Sequence, residues 1–375
     1  MSRGGQQPVD FECSQYSSHL SRGTREAVGS YMHRFRSFKW PNFPDKLYLS
    51  RPAHFLREFV CKYRFEIPSD FLGGCAANLR ILSVGDAVFP KACPALSTVT
   101  HLRATYPEYG RPSFRHLFDL FPRLETLHLR DLDKHVQLPS GTAPRTLKDV
   151  TLESSCNLIP LYNAWDLIYV PQVQLHTPIK RSASPASLLQ RASELSMTFA
   201  ENLNTVRIAA QLPYARCRTI VGIYIPEAPL LAEILLDGAV LSETHTLEIP
   251  LSVLGPVTAA SPRWPRLKHL TVHVIAFDGF ETHEYELLGP HPRFRWNLLG
   301  RVRGAPALAS LAIYVRSDDV ADPPTLSEAQ GLKRYLSTLA GYTPREVHVH
   351  GFPGDVVSAM MPPWETDVPK LVFEN

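Results

Sequence analysis

The feature that most constrains this chain is a short apolar pattern that returns at nearly even steps. Residues 121–132 read FPRLETLHLRDL, with leucines at 124, 127 and 129. A helix alone cannot put all three on one face, and neither can a strand alone. The residues before them resolve this. In SFRHLFDL (113–120) and the residue after it, Phe114, Leu117, Phe118 and Phe121 recur at helical spacing. Pro122 lacks a backbone N–H and disfavours the α region at Phe121, so the helix must stop there. The chain bends through Arg123 and Leu124, and a strand begins at Thr126. Leu124 is buried from the bend, Leu127 and Leu129 from the strand.

The same order recurs along the chain. Pro94-Ala-Leu96, Pro122-Arg-Leu124, Pro265-Arg-Leu267 and Pro306-Ala-Leu308 share the lead-in, with looser versions at Pro52 before Leu56 and Pro144 before Leu147. The clearest cores are LETLHL (124–129), LKDVTL (147–152), LNTVRI (203–208), LKHLTV (267–272) and LASLAI (308–313). With weaker cores included, their fourth residues fall at 38, 59, 82, 102, 127, 150, 173, 206, 223, 247, 270, 311, 347 and 371. Nine of the thirteen steps lie between 20 and 25 residues, the period of a leucine-rich repeat. The step of 17 from 206 to 223 is too short, so one of these two is suspect. The long steps predict insertions: an amphipathic helix over 186–203, and another over 325–341 opened by a Thr325-x-x-Glu328 capping box and stopped at Gly341.

A single repeat of this kind cannot bury its apolar face; stacked neighbours bury it. The expected fold is therefore α/β: an irregular leucine-rich-repeat solenoid with a parallel concave β-sheet and with helices and turns on the convex side. Residues 1–34 form an N-terminal segment whose 14–34 stretch is the candidate helical cap, and 35–375 form the repeat domain. Composition agrees with a globular chain, at 375 residues and 44% hydrophobic, and the 33 scattered prolines suit many short connections. The net charge of +3 does not favour nucleic acid or an anionic membrane as the main partner. Basic segments with interleaved aromatics, 32–39, 61–64 and 292–303, could hold phosphate, but their cations can equally pair with local acids. The first twenty residues lack the apolar run of a signal peptide, and no apolar stretch reaches 18 residues. The expectation is a cytoplasmic or nuclear protein with reduced thiols and no membrane partner. None of the six cysteines forms a C-x-x-C pair. Cys61, Cys75 and Cys93 sit in apolar repeat contexts and are expected in the core, as are Phe114, Phe118, Phe121, Trp264 and Trp296.

The run from MHRFRSFKW (32–40) to FPRLETLHLRDLD (121–133) resembles the repeat region of fungal F-box proteins, the basidiomycete kind especially. The telling piece is FEIPSDFLGGCAANLRILSV (65–84). The resemblance covers about residues 31–133, the rest matching only as diverged repeats. It implies that the repeats hold a protein substrate, while an F-box docks to the adaptor subunit of a cullin–RING ubiquitin ligase. Residues 1–30 are shorter than an F-box and lack its leading L-P-x-E segment. Two readings stay open: a segment upstream of residue 1, or a relative without an F-box.

In each core the first, fourth and sixth residues point inward, and the third, fifth and seventh face the concave surface. This places Thr126, His128 and Arg130 there, with His101 and Arg103, Asp149, Thr151 and Glu153, and Gln172, Gln174 and His176. Further on come Glu248; His269, Thr271 and His273; Ser310 and Tyr314; Glu346, His348 and His350. Seven of the fifteen histidines occupy these slots, against about two expected from the share of positions. The candidate partner-binding residues are His101, Arg103, His128, Arg130, Asp149, Glu153, His269, His273, Tyr314, His348 and His350. No catalytic residue, metal or cofactor is expected. The pairs His348/His350 and His269/His273 share faces as in metal hydrolases, with Asp318, Asp319 or Asp355 as carboxylates, but no motif completes a ligand set. There is no G-x-S-x-G, P-loop or G-x-G-x-x-G. The reading is a protein-recognition module of the F-box receptor type, with a stand-alone repeat scaffold as the alternative.

Overall fold

The computed structural model describes residues 7–13, 22–40, 49–105, 116–132, 141–179, 184–199, 205–222, 228–237, 240–260, 264–275, 305–316, 324–337, 346–360 and 370–374. The chain divides into two compact units, Met1–Pro178 and Ile179–Asn375. Each is mixed α/β, built on a mostly parallel sheet.

In the first unit the strands are β1 (Val9–Glu12), β2 (Phe35–Lys39), β3 (Glu58–Glu66), β4 (Ile81–Val88), β5 (His101–Thr105), β6 (Thr126–Leu132), β7 (Asp149–Ser154) and β8 (Gln172–His176). They pair in chain order, and every pairing is parallel. Phe38, Phe59, Leu82, Leu102, Leu127, Val150 and Val173, the fourth residues of successive cores, stand opposite one another across the sheet. All are at most 3% exposed.

The bend before each strand is equally regular. The N–H of the first core residue donates three residues back: Leu56 to Ala53, Leu79 to Ala76, Val99 to Leu96, Leu124 to Phe121, Leu147 to Pro144 and Val170 to Leu167, at 2.9–3.2 Å. The next carbonyl accepts two N–H groups from the following strand's entry, as Thr100 O does from Glu125 and Thr126. Bend and strand therefore satisfy each other's backbone, and the first residue is turned inward. Leu124 is fully buried, as the pattern requires. The helix before it is one turn, α2 (Leu117–Leu120), with Phe121 as its C-cap just before Pro122; Phe114 lies outside the described residues.

Of the 14–34 stretch, Arg22–Ser30 forms α1 and Met32–Arg34 a 3-10 turn; residues 14–21 lie outside the described set. Strand β1 comes before both and pairs with β2. Its Phe11 ring stacks on Phe38 at 5.1 Å, and Phe38 on Phe59 at 5.4 Å, so an aromatic cluster begins the array. A further helix, α3 (Ile159–Ala164), lies between β7 and β8.

The second unit contains β9 (Glu194–Phe199), β10 (Val206–Leu212), β11 (Arg216–Gly222), β12 (Thr246–Pro250), β13 (His269–Ile275), β14 (Ser310–Arg316), β15 (Glu346–His350) and β16 (Lys370–Glu374). Their order is β11-β10-β9-β12-β13-β14-β15-β16. From β9 to β16, omitting the hairpin, Leu195, Leu247, Leu270, Leu311, Val347 and Leu371 are aligned and parallel. The expected helix over 186–203 does not form. A short helix, α4 (Ala186–Leu189), ends where Gln190 becomes extended and Arg191 turns left-handed at φ 65°, and the chain enters β9. Position 206 does not mark a parallel repeat strand, and 223 lies outside the described residues. Val206 opens β10, which is antiparallel to both β9 and β11, and β11 ends at Gly222. The missed core ends Leu195-Ser196-Met197, and an antiparallel hairpin follows it.

On the apolar side, α5 (Ala228–Leu236) packs on α6 (Leu251–Ala259), which lies against β12 and β13. The second expected insertion is α7 (Leu326–Ser337), which contacts α8 (Gly354–Met360). Its capping box is complete. Thr325 N–H donates to Glu328 Oε2 at 2.6 Å, and Glu328 N–H donates to Thr325 Oγ1 at 3.4 Å. Gly341 lies outside the described residues. Gly351, at φ 90° after β15, backs onto the Val315 carbonyl, where a Cβ would stand 2.0 Å from the oxygen.

Cys61, Cys93, Phe118, Phe121 and Trp264 are in the core as expected, and Trp296 lies outside the described residues. Cys75 is a correction: it is exposed. Its segment leaves a left-handed turn at Leu72, Gly73 and Gly74, which carries the chain outward before it re-enters the core at Ala76. Among the described residues no helix is long and apolar enough to cross a membrane.

Candidate functional site

Strand alternation gives each sheet a second face. The third, fifth and seventh residues of the cores lie on it, mostly half-buried or exposed and mostly polar. In the parallel register these slots form rows, so a side chain at one fifth slot can reach the seventh slot of the next strand.

In the first unit that diagonal is an ion cluster. His128 Nε2 on β6 lies 2.9 Å from Glu153 Oε1 on β7, and Arg130 Nε donates to Glu153 Oε2 at 3.0 Å. Burial pushes the Glu153 carboxyl up, but the hydrogen bonds from His128 and Arg130 outweigh it and hold it below its usual range. One strand further, the Gln174 amide donates to His176 Nε2 at 2.6 Å, an arrangement that puts the ring proton on Nδ1. Burial pushes the His176 imidazole down, against the pull of Glu153. His101 is exposed and shares a hydrogen bond with Thr100 Oγ1 at 2.8 Å. Arg103 is exposed opposite His128, and Asp149 is half-buried opposite Thr126 and Gln172. The structure thus joins His128, Arg130 and Glu153 directly, while His101, Arg103 and Asp149 share the face around them.

In the second unit the same diagonal anchors a row of rings. His273 Nε2 on β13 donates to Glu248 Oε1 on β12 at 2.5 Å, and Ser196 Oγ on β9 donates to the other Glu248 oxygen at 2.5 Å. His273 faces Tyr314 with centroids 5.4 Å apart, and Tyr314 lies parallel on His350, at 4.1 Å and 2°. These three rings hold the seventh slots of β13, β14 and β15. His348 Nε2 lies 3.8 Å from Glu346 Oε2, and His269 Nδ1 is 2.7 Å from Ser310 Oγ. Ser196 is the member that sequence reasoning missed. It stands on β9, the strand misread as helix, and the alternation Leu195-Ser196-Met197 was the signal for it.

Among the described residues, no three His, Cys, Asp or Glu side chains stand where they could share a metal ion. Asp318 and Asp319 lie outside the described residues, and Asp355 is on α8. In the basic stretch 32–39, Arg36 pairs with Asp10 and Lys39 with Glu58 at 3.1 Å, so two of its cations are balanced by neighbouring strands. The arrangement offers contact: fixed hydrogen-bonding groups and aromatic edges on an accessible sheet face. No family model, curated protein or solved structure matches the chain.

Proposed function

We propose that this chain is a leucine-rich-repeat recognition module that binds a protein through its open sheet faces. The observation that carries this reading is the anchored row His273–Tyr314–His350. Glu248, bonded in turn by Ser196, holds the His273 ring, and Tyr314 and His350 stack in sequence from it. Tyrosine and histidine offer apolar area with a polar tip, and a row already held in place loses little side-chain freedom on binding. The in-register parallel strands and one-turn helices are what a solenoid of irregular repeats would use. With the resemblance of residues 31–133, they support the further reading that the repeats hold the substrate of an F-box-type ubiquitin-ligase receptor. Such a receptor would work in the cytoplasm or nucleus.

The test is quantitative mass spectrometry of proteins captured from native extract by the tagged chain and by its Tyr314→Ala/His350→Ala variant. Partners of the open face should fall at least about fivefold with the variant, as loss of a central aromatic anchor does. Recovery of the cullin-ligase adaptor with both chains supports the receptor. Loss of partners with no adaptor in either sample leaves a repeat scaffold. If no captured protein depends on these side chains, the second unit's open face is not the recognition surface.

A further inference from the structure

We propose that Cys75 and His54 form a reactive thiol–imidazole pair at which a hydroperoxide oxidises the chain. The inference is independent of the open faces. Cys75 Sγ lies 3.6 Å from His54 Nδ1, within reach of an S–H···N hydrogen bond, and both residues are exposed. Cys75 is the only exposed cysteine of the six: Cys61 and Cys93 are buried, and Cys13, Cys156 and Cys217 are half-buried.

The pair is positioned by backbone rather than by chance contact of two mobile side chains. Ala53 N–H donates to Cys75 O at 3.3 Å, and the Asn78 side-chain amide donates to His54 O at 2.7 Å, so the backbone segments that carry the two side chains are tied to each other. Three successive left-handed residues, Leu72 at φ 53°, Gly73 at φ 60° and Gly74 at φ 67°, turn the chain just before the thiol. A Cβ at Gly73 would stand 2.9 Å from Pro52 Cδ and 3.0 Å from Ser50 O, so the glycine lets this turn close onto the segment that carries His54. A base held beside a nucleophile is the arrangement that activates a thiol, and here the imidazole stands within hydrogen-bond reach of the sulfur. The charged residues closest in sequence are Arg51 and Arg57 about His54, both exposed, and Asp70 and Arg80 about Cys75; Asp70 is exposed, and Arg80 is half-buried and donates to the Ala77, Leu79 and Thr98 carbonyls.

The chemistry balances with the hydroperoxide as the named co-reactant. His54 takes the thiol proton. The thiolate sulfur attacks one peroxide oxygen, forming an S–O bond as the O–O bond breaks, and the leaving hydroxide or alkoxide takes the proton back from the imidazolium. Sulfur is oxidised by two electrons to a sulfenic acid, and the peroxide is reduced to water or alcohol.

The experiment treats the full chain with hydrogen peroxide and the sulfenic-acid trap dimedone, and follows all six cysteines by peptide mass spectrometry. At pH 6.5 Cys75 should be captured about tenfold faster than Cys13, Cys156 or Cys217. His54→Gln should slow it about tenfold at pH 6.5 and restore it at pH 9, where a thiol ionises unaided. Equal rates at Cys75 and the half-buried cysteines would overturn the proposal, as would a His54→Gln profile like the wild type's. If that variant does not fold, the wild-type profile decides. An unassisted thiol loses roughly 80-fold of its thiolate between pH 9 and 6.5, so a fall beyond about 30-fold overturns the pair and a smaller one upholds it.

Discussion

Glu153 and His176 stand on neighbouring strands of one face, and both titrate below their usual ranges for different reasons. Glu153 is lowered because His128 and Arg130 hold its charged form, against the effect of burial; His176 is lowered because burial disfavours its charged form. Both make stability rise with pH, in separate windows. The unfolded chain takes up a proton at a free histidine below about pH 6.5, while folded His176 resists it, so the fold loses stability from there downward. Glu153 stabilises the fold above the ordinary carboxylate range, near pH 4.3, and that contribution is lost as pH falls through its lower folded value. Melting temperatures across this range should separate the two. His176→Gln should flatten the loss that begins near pH 6.5, and Glu153→Gln should be less stable than wild type at neutral pH, with the gap closing in acid. A Glu153→Gln deficit that persists unchanged in strong acid would mean that packing, not charge, is lost. That these residues share a face was legible from strand alternation alone. Their contacts were not, because the diagonal from a fifth to a seventh slot depends on a register set by residues about 25 positions away. Cys75 was misplaced for a related reason: apolar neighbours in sequence suggested burial, and the left-handed turn at Leu72–Gly74 overrode them.

The β10–β11 hairpin is the element that departs from the repeat. Its tip, Pro213-Tyr214-Ala215-Arg216, holds Tyr214 at φ 64° and Ala215 at φ 56°. The register pairs Leu212 with Arg216 and leaves a three-residue loop, where glycine or asparagine is the usual choice at positive φ because residues with a Cβ are strained there. Tyr214 is also 91% exposed, with the Arg216 guanidinium 5.6 Å from its ring, so burial does not compensate the strain. Replacing Tyr214-Ala215 by Asn-Gly should stabilise the protein by about 1–2 kcal/mol, read as a higher melting temperature. An unchanged or lower value would mean that the Arg216–Tyr214 contact holds the tip more strongly than strain opposes it. The hairpin also explains why this region resisted sequence reading. Residues 186–203 carry apolar positions that suit a helix, yet Leu195 and Met197 alternate as well as any strand. Partners on both sides decided the outcome, since β10 and β12 flank β9 and align Leu195 with Leu247. The capped helix at Leu326–Ser337 was legible because its start signal is local and needs no partner.

At the scale of the array, each strand of the first unit is bonded only to the strands beside it, so energetic coupling should be short-ranged. Leu127 and Val150 face each other on β6 and β7, both fully buried, and Val84 lies on β4 at 3% exposure. Leu127→Ala alone should cost about 2–5 kcal/mol, since it empties a site packed on every side. Combined with Val150→Ala, it should depart from additivity by about 0.5 kcal/mol or more, because the two cavities share a wall. Val84→Ala with Val150→Ala, on strands that are not neighbours, should add within about 0.5 kcal/mol. Denaturant melts of the wild type, the two single variants and the double variant of each cycle measure both terms. Strong coupling between Val84 and Val150 would mean that the sheet responds as one block and that the repeat is only a pattern of sequence. Coupling confined to Leu127 and Val150 would give the period of about 23 residues its physical meaning: each turn of chain buries its neighbour, and an insertion such as the β10–β11 hairpin is tolerated wherever the two strands beside it still find their register.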